Sequence, residues 1–248
     1  MHLLVKRIFF QILPPNPILE IPKPFIQLPM SIALTNRVKD LTKPAALINL
    51  NRIKSEETRD YLLRNRLKDT SDLSNILPIC YLEGITNDFH SHIKSYDFPF
   101  DVEKVWDAYV NIPPIIAWGG RRIGFSFAYN PSSGVFHYED DAYKGLREGQ
   151  LIFIVIKVFF GLFKMAVTHQ VNKIDEETKT IKLCYVEGGK SAGSQILRFE
   201  DLGNNHTRVI HETYYKSASD FRDRKLYPLL HERIINQLHR NILRYLSC

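Results

Sequence analysis

The spacing of apolar and polar positions changes period twice along this chain. Val102, Val105, Trp106, Tyr109 and Val110 recur at i, i+3, i+4, i+7 and i+8, one face of a helix. Asp101 stands before that stripe as a capping side chain, and Pro113-Pro114 ends it. Phe89 to Phe98, with Ile93 and Tyr96 between them, precedes it and predicts a strand. After the helix the period falls to two. Strands are predicted over 123–129, 134–139, 150–159, 162–174, 180–187, 194–201 and 207–216. Asp175-Glu176-Glu177-Thr178 and Gly203-Asn204-Asn205 separate them as hairpin turns, so the run reads as an antiparallel meander. From Arg224 the helical period returns. Leu226, Leu230, Ile234 and Leu238 recur every four residues, and Ile235, Ile242, Leu243 and Leu246 widen the stripe. Pro228 is tolerated only in a first turn, so the helix starts near it. Arg222, Arg224, Lys225, Arg233, Arg240 and Arg244 fill much of the other face. A broad apolar stripe needs a partner, and the sheet is the large one available.

Upstream the pattern is different. Pro14, Pro15, Pro17, Pro22, Pro24 and Pro29 forbid a continuous helix, so residues 1–29 read as an extended, disordered leader. The apolar run before Pro14 is broken by Lys6, Arg7 and Gln11 and makes a poor secretory signal. Met30 opens more ordinary sequence and is an alternative start. Residues 30–84 read as a mostly helical extension, with Ser55-Glu56-Glu57 as a helix start and Tyr61, Leu62 and Leu63 as its apolar patch. Residues 85–248 then form the main domain. Residues 151–168 are long enough to suggest a membrane span. Lys157 and Lys164 inside the stretch and Gly161 dividing it favour two buried strands instead.

With 248 residues, 44% hydrophobic and 24% charged, the chain can bury a substantial core. A net charge of +6 permits weak attraction to polyanions and specifies none, so no specific nucleic acid partner is expected. The leader and the basic helix offer a peripheral membrane contact. Cys80, Cys184 and Cys248 lack zinc-site spacing; an odd, sparse set argues against disulfides and favours a reducing, cytoplasmic compartment.

The order of elements then becomes informative. The stretch Tyr96-Asp97-Phe98-Pro99-Phe100-Asp101-Val102-Glu103-Lys104-Val105-Trp106 runs from strand to helix, and His169-Gln170-Val171-Asn172-Lys173-Ile174-Asp175 runs from strand to hairpin. Together with the meander and the terminal helix, they resemble the START-like, birch-pollen-allergen-like superfamily that also holds polyketide cyclases (SRPBCC). The resemblance spans about two-thirds of the chain and excludes residues 1–84. It implies an α+β helix-grip fold, a curved antiparallel sheet wrapped around the C-terminal helix, with a cavity for a hydrophobic ligand between them. It brings no catalytic residues with it.

Strand alternation nominates the cavity residues. Tyr185 and Glu187 share a face with Leu183, Gln195 with Leu197 and Phe199, His211 with Val209, and His169 with Val171. With Leu230, Ile234 and Leu238 from the helix, these are the candidate lining. His169, Tyr185, Glu187, Gln195 and His211 would orient a polar headgroup or move protons, with His211 and Glu187 as the first acid–base pair to consider. The plainer reading is that they are hydrogen-bonded core residues. His90-Ser91-His92 lacks further ligand spacing, and the glycine-rich 187–194 segment lacks G-x-x-x-x-G-K-[ST], so no metal and no cofactor is expected. Three functions remain: a carrier of a lipid-like or aromatic polyketide-like molecule, a cyclase- or dehydratase-like enzyme acting on one, and a membrane-associated or partner-binding protein.

Overall fold

A computed structural model describes residues 45–248 except 86–87 and 159–160. The proline-rich leader lies outside the described residues. Leu47–Cys248 forms one compact unit, so residues 47–84 pack with the main domain rather than extending from it.

The meander forms as its alternation predicts. Strand β1 is Pro78–Ile79 and β2 is His90–Phe98; β3 (Ile123–Asn130) and β4 (Val135–Tyr138) make the first hairpin. β5 (Leu151–Val158), β6 (Phe163–Asp175), β7 (Thr180–Val186), β8 (Ala192–Gly203) and β9 (His206–Lys216) follow. The sheet order is β2-β9-β8-β7-β6-β5-β3-β4, every pair antiparallel, with β1 added to β7. The suspected membrane stretch is β5 turning into β6, in register from Leu151↔Gln170 to Val158↔Phe163. No described helix is long and apolar enough to cross a membrane.

Helices cover both faces, which explains why β5 is apolar at successive positions rather than alternate ones. On the outer face lie α1 (Glu56–Arg64) and α2 (Thr70–Ser74). Ser55 caps α1 by accepting from Thr58 N at 3.1 Å, and Asp69 caps α2 by accepting from Ser71 N at 2.8 Å and Asp72 N at 3.0 Å. Tyr61, Leu62 and Leu73 meet Phe127, Leu151 and Phe153 there. On the inner face lie α3 (Val102–Asn111), α4 (Pro114–Ala117) and α5 (Tyr227–Leu246). Asp101 caps α3, accepting from Lys104 N at 2.8 Å. A bulge between Phe125 and Phe127 switches β3's faces, so Ile123 and Phe125 point inward while Phe127 and Tyr129 serve the outer layer. A curved antiparallel sheet closed by a long C-terminal helix is the helix-grip α+β architecture.

The cysteine reading needs correcting. Cys80, just after β1, is disulfide-bonded to Cys184 in β7, with Cα atoms 5.0 Å apart. Their sequence separation of 104 hid a proximity that only strand pairing creates. A disulfide is uncommon in a reducing cytosol, so this bond weighs against cytoplasmic residence. Cys248 is free and exposed. The arginines also divide: Arg224, Arg233, Arg240 and Arg244 are exposed as expected, whereas Arg222 is half-buried and donates to the carbonyl of Lys190.

Candidate functional site

Between sheet and terminal helix lies a cavity of about 40 Å³. The sheet contributes Ile152, Ile181, Leu183 and Leu197 to its wall, and α5 contributes Leu238 and Ile242. The end of α3, the α4 turn and the 139–149 loop close it through Tyr109, Trp118 and Tyr143. Gln195 and His211 supply further polar groups to the wall.

Those groups belong to a longer chain of hydrogen bonds. Tyr109 Oη donates to His239 Nδ1. His239 Nε2 lies 2.9 Å from His211 Nδ1, and His211 Nε2 lies 3.0 Å from Gln195 Oε1. Gln195 Nε2 then donates to His169 Nε2 at 2.9 Å. An amide oxygen can only accept, so His211 carries a proton on Nε2; kept neutral by burial, it accepts at Nδ1. That puts the His239 proton on Nε2 and leaves its Nδ1 to accept from tyrosine. One direction of donation therefore runs from Tyr109 through His239, His211 and Gln195 to His169, and it requires every imidazole to be neutral. Burial has the same effect on proton affinity: it pushes His169 down to about 4 and His239 to about 3, and holds His211 and His231 well below the usual histidine value.

A branch leaves this chain at Gln195, whose Nε2 also reaches Tyr185 Oη at 3.5 Å. Tyr185 is hydrogen-bonded to Tyr227, and Tyr227 stacks on Tyr215 at 3.5 Å and on His231 at 5.0 Å. His231 Nε2 sits 3.5 Å from Thr213 Oγ1. The Nδ1 atoms of His231 and His92 are buried with no hydrogen-bond partner among the described residues.

The sequence-nominated residues fall into three groups. His169, Tyr185, Gln195 and His211 come together in the relay. Leu183, Gln195, Leu197, His211 and Leu238 stand on the cavity wall. Phe199 lies off it, packed edge-to-face on Trp106 and Tyr109; Ile234 is core and Leu230 half-buried. Glu187 must be removed from the cluster. β7 ends at Val186, so alternation no longer governs residue 187, whose exposed carboxylate accepts from Leu77 N at 3.1 Å. The pairing of His211 with Glu187 is thereby excluded from this arrangement. Sequence reading missed Tyr109, Tyr227, His231 and His239. The signal was present: His231, Ile235, His239, Ile242 and Leu246 follow one another by four, four, three and four residues, the spacing of the buried stripe itself.

The site and sheet thus define a helix-grip protein with a polar relay along one wall of an otherwise apolar cavity. No family model matches the sequence, and no curated protein matches it. Solved structures do resemble it. Norcoclaurine synthase from Thalictrum flavum, a point mutant with a transition-state analogue, is 11% identical over 65% of this chain and 98% of its own, at a TM-score of 0.47. Major latex-like protein 151 from Panax ginseng is 13% identical over 63% and 97%, also at 0.47. Ara h 8.0201 is 14% identical over 64% and 99%, at 0.42. At such identities the likeness speaks to neither ligand nor reaction.

Proposed function

We propose that this protein binds a hydrophobic small molecule, lipid-like or aromatic polyketide-like, between its sheet and α5. The observation that supports this is the placement of Tyr109, Gln195 and His211 on one side of a wall otherwise made of aliphatic and aromatic side chains. Ligand sites typically combine an apolar lining with a few convergent polar groups. A cavity of about 40 Å³ is far below the roughly 300–1,000 Å³ of a ligand pocket, so entry has to displace part of the wall. The 139–149 loop and α4 are the wall elements outside both the sheet and the long helices, and we place the opening there. A cyclase- or dehydratase-like activity is less favoured. A general base needs a free lone pair, and the Nδ1 lone pairs of His211 and His239 are already committed within the relay.

Leu238→Trp tests the binding reading by filling the gap from the helix side. The uncharged fluorophore N-phenyl-1-naphthylamine is expected to bind the natural protein at one site. It should bind the folded variant at least tenfold more weakly, with overpacking costing about 1–3 kcal/mol of stability. A folded Leu238→Trp protein with undiminished binding would rule this cavity out.

A further inference from the structure

We infer that the ligand is an uncharged hydrogen-bond donor, an alcohol or a phenol, and that the cavity discriminates against carboxylates. The inference rests on the binding reading above and adds the chemical class.

Three observations carry it. First, none of the fifteen residues on the cavity wall is lysine, arginine, aspartate or glutamate. A carboxylate moved there would lose its hydration without gaining a counter-charge, which is prohibitive for an ion. Second, the polar groups on the wall have spent their donors. Tyr109 donates to His239, His211 to Gln195, and both amide protons of Gln195 go to His169 and Tyr185. Tyr143 donates to Gln150 Oε1 at 3.1 Å. What remains is acceptor capacity: the second lone pairs of the Tyr109, Tyr143 and Gln195 oxygens. Only the indole N–H of Trp118 is left as a wall donor, too few for a carboxylate with two oxygens to satisfy. Third, Tyr109 and Ile112 reach the wall from the C-terminal end of α3, whose last turn has no basic residue. The last-turn carbonyls there form the negative end of the helix dipole and disfavour an anion further, even with Val110 O accepting from Leu146 N at 2.7 Å. The neutrality of the buried imidazoles is consistent with all three, since none supplies a positive charge at neutral pH.

Matched pairs of different size test this: phenol against benzoate, 2-naphthol against 2-naphthoate, and decan-1-ol against decanoate, by titration calorimetry at pH 7 with the full chain. In whichever size class binds, the hydroxyl compound is expected to bind at least tenfold more tightly than its carboxylate. A carboxylate that binds as well as its partner alcohol overturns the inference while leaving the binding reading intact. If no member of any pair binds, the cavity is not a ligand site, and both readings fall together.

Discussion

The two faces of the sheet are both buried, but they are built from different chemistry. The outer face is closed by aromatic packing. Phe127 and Phe153 stack at 4.2 Å, Tyr61 meets Phe153 edge-on at 6.0 Å, and the tyrosine hydroxyls are satisfied close by, Tyr61 by the Glu187 carbonyl and Tyr129 by the Thr70 carbonyl. The inner face holds His169, His211, His231, His239 and Gln195 in its core, with a small cavity beside them. Buried polar groups add little net stability even when satisfied, and cost heavily when they are not. The outer face shows that this sheet can be covered by a largely aromatic layer that buries no histidine. The inner face therefore carries polar groups that a layer like the outer one does without, in keeping with the ligand site proposed above.

Acid separates the faces most strongly. An unfolded imidazole takes its proton near pH 6.5, whereas His169 takes it at about 4 and His239 at about 3. Below pH 6.5 the unfolded chain binds more protons, so the contribution is complete above that value and is lost as pH falls toward 4. Each such group costs about 1.4 kcal/mol per pH unit across the window, several kcal/mol in all. Urea midpoints at pH 7, 6 and 5 should fall steadily. A flat profile would mean that the imidazoles are not buried neutral. On the outer face burial acts on a tyrosine instead, and pushes Tyr61 up to about 12.

Phe153→Ala probes the outer face. Removing a fully buried ring from a packed aromatic stack should cost about 3–5 kcal/mol in chemical denaturation. A loss below about 1 kcal/mol would show that this layer is loosely packed, and the contrast between faces would disappear. His239→Leu probes the relay with a smaller expected effect. It strands Tyr109 Oη and His211 Nδ1 and should cost about 1–3 kcal/mol. Because one acid-titrating group has gone, the fall in stability between pH 7 and 5 should also become shallower. An unchanged pH slope would place the titration elsewhere.

Much of this was legible in the sequence, for identifiable reasons. The capped α3 stripe, the β7, β8 and β9 strands and the terminal helix depend on local periodicity and capping, which the sequence displays directly. Alternation within regular strands also brought His169, Tyr185, Gln195 and His211 to one face. It failed at Glu187, where the strand had ended and Gly188 turns the chain at a φ of 74°. His231 and His239 were overlooked because an amphipathic helix was read by its leucines and isoleucines, although histidine occupied the same stripe. The Cys80–Cys184 bond was illegible, because β1 has only two residues and its pairing with β7 is set by tertiary packing.

The central claim is that the inner face keeps its polar relay to hold a ligand. A native mass spectrum of the protein purified from its own host tests it most directly, recorded beside the Leu238→Trp variant from the same cells. The account predicts an uncharged apolar molecule retained at one per chain, released on denaturation and absent from the variant. A protein that runs at its bare mass and takes up none of the hydroxyl probes would contradict it, leaving the buried histidines as structure alone.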